Sequence, residues 1–320
     1  MRHYARNIRK GLRVDQSVSL PTLAFLGIGL MGKPMATRLL QAGYRLHAWN
    51  RSRAKVEALA SLGAQIADTV FDAVCNADIV ITMLEAGPIV ADVLDQAWTG
   101  LRPGTLVVDM SSTRQSEAQQ LHVRLADKGI AFIDAPVSGG VLGAEAGTLA
   151  IMAGGCNEDF ARAEPVLKIM GRPTLVGPAG CGQLAKLCNQ LIVGGTLAIV
   201  AEALLLAEAG GADPAEVRAA IRGGFAESRI LEVHGQRMLD RNFMPGGQVK
   251  SQTKDLDNIL FAAVAAGLRL PVTELVAQTY RGMDSSLASA DQSAVLLALE
   301  RINPGKRVGG GSDKVDRLPG

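Results

Sequence analysis

An apolar run, Thr22 to Leu26, opens onto Gly27, Ile28, Gly29, Leu30, Met31 and Gly32. This G-x-G-x-x-G spacing falls where a strand must turn into a helix, because Lys33 to Gln41 is amphipathic and closes at Gly43. The first glycine permits the sharp bend. The second lets the backbone approach a pyrophosphate, and the third lets the helix pack close to the strand. The helix start then presents free N–H groups and a partial positive charge. With a further strand expected at Arg45–Trp49, the run reads as a dinucleotide cradle. Taken alone, the glycines are also compatible with a tight turn that holds no ligand.

The rest of the chain extends this pattern. Apolar runs at Leu23–Leu26, Arg45–Trp49, Ile79–Met83, Leu106–Asp109, Ala131–Asp134, Leu149–Ala153 and Thr174–Val176 alternate with helical stretches such as Arg53–Leu62 and Gln115–Lys128. Such alternation predicts a doubly wound parallel sheet of the Rossmann type. From about Gly182 the strand pattern ends, and helical periods follow at 183–209, 214–222, 227–240, 254–267, 272–287 and 293–300. Asp213–Pro214 supplies an N-cap followed by proline at the first helical position. The expected fold is therefore α/β followed by an all-α C-terminal domain. Its boundaries are a dinucleotide-binding domain at 22–182 and a helical substrate and oligomerisation domain at 183–303.

Charge and composition exclude several classes. The 320 residues carry 33 Lys plus Arg against 31 Asp plus Glu, a net charge of +2, which gives no reason to expect nucleic acid or a membrane surface as partner. Leu191–Ala201 is too short to span a bilayer and reads as a buried core helix. Cys75, Cys156, Cys181 and Cys188 form no C-x-x-C pair and have no histidine cluster beside them, so no metal site is expected. Reduced, mostly buried thiols in a cytoplasmic protein are expected instead. Residues 1–21 are basic and transit-peptide-like but lack a clear amphipathic pattern, so they read as a disordered extension or a mis-assigned start. The glycine-rich stretch 304–320 reads as a disordered tail.

The residues after the second strand bear on the choice of dinucleotide. An acidic residue there accepts from a ribose 2′-hydroxyl, whereas an arginine accommodates a 2′-phosphate. Here the strand runs into Asn50, Arg51 and Ser52 with no acid. Arg51 can hold the phosphate and Ser52 can donate to it, so NADP is favoured, with NAD possible. The alternative is a solvated Arg51 and an Asn50 that caps the next helix.

Nicotinamide chemistry needs a group that gives or takes a proton at the substrate oxygen. The histidines are His3, His47, His122 and His234, and none falls at a strand end or beside a glycine-rich loop. No tyrosine has a lysine four residues on. Lys186 remains, with Asn189 and Gln190 on its face of an otherwise apolar helix. Burial lowers a lysine pKa toward working pH, which suits an acid/base role; an exposed helix start is the bland reading. Ser111–Ser112 follows a strand end and should face the crevice, where open sheets bind ligands. Asp134–Gly140 contains Ser138, Gly139 and Gly140, a loop whose N–H groups suit a small carboxylate. Lys254–Asp255 reads equally well as a surface ion pair.

Together these residues resemble the β-hydroxyacid dehydrogenase family, over about Leu23 to Leu299. The motifs are Gly27–Gly32, Asp134–Gly140, Gly180–Asn189 with Lys186, and Lys254–Asp255–Leu256. The resemblance implies Lys186 as acid/base, positioned with Asn189. It implies a substrate carboxylate held by Ser138, Gly139 and Gly140 near Ser112 and Gln190. It also implies cofactor contacts from Met83, Leu84, Ser112 and Lys254, beside the glycine turn. The implied substrate is a three- or four-carbon semialdehyde or hydroxy acid, and the implied assembly a homodimer or homotetramer. Asp109–Ser112, Ala220–Gly224 and Asp240–Phe243 with Pro245–Gly246 narrow the resemblance to a semialdehyde-reducing branch. Two departures flank the expected pocket. Gly247–Thr253 replaces a segment with phenylalanine and histidine, and Glu85 stands where proline is usual. A non-catalytic NADP-binding sensor is the alternative outside enzymes.

Overall fold

The computed structural model describes residues 20–315; the expectations for residues 1–19 and 316–320 lie outside them. Strands β1 (Leu23–Leu26), β2 (Leu46–Trp49), β3 (Gln65–Ile66), β4 (Ile79–Thr82), β5 (Leu106–Asp109) and β6 (Ala131–Asp134) are parallel, in the order β3-β2-β1-β4-β5-β6. β1, β4 and β5 are buried along their whole length, with no apolar–polar alternation. That is what helices on both faces demand. Leu23 and Phe25 point into one core, and Ala24 and Leu26 into the other. The covering helices are α1 (Gly32–Gln41), α2 (Arg53–Glu57), α3 (Val70–Val74), α4 (Gly87–Ala97) and α5 (Gln115–Ala126).

Beyond β6 the sheet changes direction. β7 (Val137–Ser138) leads to α6 (Gly140–Ala146), β8 (Leu149–Gly154), α7 (Asn157–Met170) and β9 (Gly171–Gly177). β8 is antiparallel to β6 and β7 and parallel to β9. The two-residue strands β3 and β7 are not anticipated from the sequence, being too short to carry a period. The strand order reverses between β1 and β4, which opens the ligand crevice at their carboxyl ends.

The second domain is all-helical, as expected: α8 (Cys181–Ala209), α9 (Pro214–Ile221), α10 (Arg229–Leu239), α11 (Val249–Ala265), α12 (Pro271–Arg281) and α13 (Val295–Ile302). α8 is its axis and packs against α10, α11, α12 and α13. Leu197, Ala201 and Leu204 fill the core between them. By length and composition α8 could cross a membrane, but that buried face is the centre of the bundle. Its other face is exposed. Ile192, Ile199 and Leu206 are 64%, 59% and 74% accessible, at seven-residue spacing.

Three sequence expectations need correction. α11 begins at Val249, five residues before the expected start, because the Val249 N–H finds the Ala290 carbonyl and the Gln252 N–H finds Gln248. The segment from Pro304 to Val315 is not a disordered tail. Val308 is fully buried, and Lys314 pairs with Asn242. All four cysteines are free, but none is buried: Cys156 and Cys188 are exposed, and Cys75 and Cys181 are partly buried. Cys156 caps α7, its sulfur accepting the Asp159 N–H.

Candidate active site

The glycine turn has the shape its spacing calls for. Gly27 sits at φ +106°, and a Cβ there would lie 2.3 Å from the Met83 carbonyl oxygen. A Cβ on Gly32 would lie 2.0 Å from the Gly27 carbonyl, which is why α1 can approach β1 so closely. Gly29 meets nothing within 4 Å, so this backbone faces open space. A diphosphate therefore fits here, on the side from which α1 starts. The Asn50 carboxamide braces the turn. It accepts the Ile28 N–H at 3.0 Å and donates to the Ser52 carbonyl at 2.9 Å. Leu30 is exposed and Met31 partly buried at the helix start. Arg51 and Ser52 are exposed, and among the described residues Arg51 has no hydrogen bond or ion pair.

The ends of β4 and β5 line the crevice beside this turn. Met83 and Leu84 are partly buried, and the Leu84 N–H donates to Ser111 Oγ at 2.9 Å. Glu85 is exposed at the loop into α4. Ser111 is fully buried, so only Ser112 of this pair reaches the cleft. Beneath them Asp109 is completely buried; it accepts from Thr82 Oγ1 at 2.7 Å and from the Ser111 N–H at 3.0 Å. Burial pushes its carboxyl up to about 6 against the pull of these bonds.

A buried polar seam joins the two domains. The Asp134 carboxylate accepts the Gly180 and Gln183 N–H groups at 2.7 and 2.8 Å, capping α8. Burial pushes Asp134 up to about 7, although both N–H groups favour its ionised form. The Gln183 side chain donates to the Ser111 carbonyl at 2.8 Å and accepts the Thr113 N–H at 3.0 Å. Gln183 thus fixes the Ser111–Thr113 turn to the first turn of α8. Sequence reasoning missed it, and its one signal is a glutamine placed three residues before Lys186 in an apolar helix.

One turn further, Lys186 Nζ donates to Gln190 Oε1 at 3.1 Å, and Asn189 Nδ2 donates to the same oxygen at 2.9 Å. Gln190 Nε2 donates to Asp255 Oδ2 at 2.7 Å and to Gln252 Oε1 at 3.3 Å. Lys254 lies 3.6 Å from Asp255 and donates across the cleft to the Ser112 carbonyl at 3.4 Å. The Lys254–Asp255 pair is therefore no surface pair, since Asp255 is only 6% accessible. Desolvation holds Lys186 below the ordinary lysine range; Lys254 lowers it further and Asp255 opposes both. β7 packs against α8, and Ser138 at its end is partly buried. Gly139 and Gly140 follow at φ +138° and +63°, exposed at the start of α6. His234 is elsewhere, its Nδ1 3.2 Å from Asp291 Oδ1 within the helical domain.

Residues 22–185 match the pattern of the NAD binding domain of 6-phosphogluconate dehydrogenase. Residues 180–299 match the NAD-binding region of NADP-dependent 3-hydroxyisobutyrate dehydrogenase. The chain is 41% identical to 2-hydroxy-3-oxopropionate reductase of Escherichia coli (strain K12), over 87% of this chain and 97% of the relative. The chain belongs to the β-hydroxyacid dehydrogenase family. It is also 35% identical to a probable 3-hydroxyisobutyrate dehydrogenase-like protein of Arabidopsis thaliana, over 88% of this chain and 86% of that one. Among solved structures, Mycobacterium tuberculosis 3-hydroxyisobutyrate dehydrogenase with L-serine superposes with a TM-score of 0.82 at 32% identity, covering 88% and 99% of the two chains. This β-hydroxyacid dehydrogenase is an NAD(P)-dependent oxidoreductase acting on hydroxy acids. The open backbone at Gly29 and the half-buried, desolvated lysine suit that chemistry.

Proposed function

We propose that this β-hydroxyacid dehydrogenase reduces a small semialdehyde acid, 2-hydroxy-3-oxopropionate, to the corresponding hydroxy acid, glycerate. The observation that carries the reading is the desolvated Lys186 ammonium, held by Gln190 in the cleft that Ser112 and Lys254 also line. When bound, the nicotinamide supplies the hydride to the aldehyde carbon. Lys186 delivers its Nζ proton to the aldehyde oxygen, so the carbonyl becomes an alcohol with charge balanced. Asn189, one helical turn from Lys186, orients that oxygen. Ser138, Gly139 and Gly140 hold the substrate carboxylate beside Ser112. In the oxidative direction neutral Lys186 takes the hydroxyl proton. Turnover of 2-hydroxy-3-oxopropionate, 3-hydroxyisobutyrate, L-threonate and related acids with both nicotinamides tests the substrate. No turnover of any, with NADPH still bound, would support a sensor instead.

NADPH is expected to be preferred over NADH, because among the described residues Arg51 has no other partner and no carboxylate follows β2 to oppose a 2′-phosphate. Arg51→Ala with Asn50→Asp reverses that preference. The aspartate keeps the acceptor for the Ile28 N–H and gives up only the bond to the Ser52 carbonyl. Equal kcat/KM of the wild-type protein with NADH would contradict this expectation.

The exposed stripe Ile192, Ile199 and Leu206 supports association through α8, as a dimer or tetramer. Ile192→Glu with Ile199→Glu is expected to shift the assembly to monomers by light scattering at micromolar concentration. A wild-type monomer under those conditions would rule the interface out.

A further inference from the structure

The Gln190 carboxamide has two donor hydrogens and two acceptor lone pairs. All four are used: Nε2 donates to Asp255 and Gln252, and Oε1 accepts from Lys186 and Asn189. Gln190 therefore has no bond left for a substrate. It is a hub, and its amide plane has a carboxylate at one end and an ammonium at the other. α8 and α11 are built to hold it. Gln252 is buried and its Nε2 returns a bond to the Gln190 backbone carbonyl at 3.3 Å. A Cβ on Gly194 would lie 2.4 Å from that same nitrogen, so the glycine makes room for the clamp.

Asp255 has one oxygen on this hub, while among the described residues its Oδ1 is buried without a hydrogen bond, 3.6 Å from Lys254 Nζ. A buried carboxylate with an unspent oxygen is costly, and folding alone does not require it. Resting on the reading of Lys186 as proton donor, we propose that Asp255 is a positioning residue for Lys186: acting through the Gln190 amide, its carboxylate orients the ammonium and sets the pH at which the proton is released. A carboxylate on the N–H end of an amide makes the amide oxygen a better acceptor, which favours the charged lysine at the far end. The charges that act on Lys186 both come from α11, Asp255 favouring the ammonium and Lys254 opposing it. The neighbours on other elements are engaged elsewhere. Asp134 of β6 caps α8, Glu117 of α5 accepts the Arg114 N–H, and His234 and Arg237 of α10 face Asp291.

The test is Asp255→Asn in the full chain, whose carboxamide oxygen can still accept from Gln190. Two readouts are taken against pH: reductive kcat with saturating NADPH, and the rate at which trinitrobenzenesulfonate modifies Lys186, located by peptide mass spectrometry. Loss of the carboxylate moves both curves to lower pH, so the ratio of kcat at neutral to kcat at alkaline pH rises about three- to tenfold. Asp255→Glu returns both toward wild type. A folded Asp255→Asn protein with an unmoved modification curve overturns the proposal. A moved modification curve with an unmoved kcat curve upholds the coupling and removes Lys186 as the acid. Should Asp255→Asn fail to fold, Asp255→Ser serves instead, with both curves again expected at lower pH; an unmoved modification curve overturns the proposal.

Discussion

Lys186→Ala is expected to lower kcat by about 10²–10⁴, the usual worth of a positioned acid/base. In the proposed reaction the ammonium is the proton source, and neither Asn189 nor Gln190 can replace it, because an amide N–H is far too weak an acid. NADPH affinity changes little, since the cradle at Gly27–Gly32 and the residues after β2 belong to the other domain. Stability also changes little. Gln190 Oε1 keeps its bond from Asn189, and Asp255 keeps Lys254. Lys186→Arg does not rescue, because a guanidinium stays protonated and its planar fork does not match a single amide oxygen. The wild-type pH dependence follows from the sign of the lysine shift. Desolvation places Lys186 below the ordinary lysine range, so reduction is fast while it is protonated and falls as pH rises through its titration. Oxidation rises over the same interval. Measuring kcat, cofactor Kd and Tm on one mutant separates catalysis from structure, and an unchanged kcat with a lowered Tm would refute the assignment.

The candidate site residues were legible because each stands out against a local rule. Lys186 interrupts an apolar helix, and Gly27 and Gly32 occupy points where a Cβ would strike backbone within 2.3 Å. Strands β1, β5 and β6 were legible to the residue, since a strand covered on both faces is an uninterrupted apolar run. What holds the site together was not. Asp134, Gln183 and Gln252 make bonds to residues distant in the chain, such as Ser111 and Gln190, and no local spacing encodes those partners. Gln190 itself reads as a substrate ligand from its position beside Asn189, and only the contacts of α11 reveal that its amide is spent. The segment after Pro304 misled for a related reason. Its glycines suggest freedom, yet Gly309 at φ +74° packs with its Cβ position 2.6 Å from the Leu239 carbonyl.

That segment is held by Arg241, and Arg241→Met is expected to cost about 3–5 kcal/mol, the range for stranding a buried charge. Arg241 follows α10 at φ +52° and is only 1% accessible. Its guanidinium donates to Glu300 Oε2 of α13 at 2.9 Å, to Asp313 Oδ1 at 2.8 Å and to the Val308 carbonyl at 3.0 Å. Nearby, the Phe243 N–H reaches the Lys314 carbonyl at 2.8 Å, and the Lys314 N–H reaches the Arg241 carbonyl at 2.9 Å. One side chain therefore joins α10, α13 and the strap from Pro304 to Val315. Methionine fills much of the volume but leaves the largely covered Glu300 without its cation, and the desolvation already incurred there is no longer offset. The Tm should fall by roughly 10 °C, with kcat of the folded fraction unchanged because the cluster does not touch the cleft. Arg241→Met with Glu300→Leu distinguishes a stranded charge from lost packing. If charge is the cause, removing the glutamate recovers part of the loss and the double variant melts above the single one. A double variant less stable than Arg241→Met, or a single variant with wild-type Tm, would show that the strap is held by other contacts.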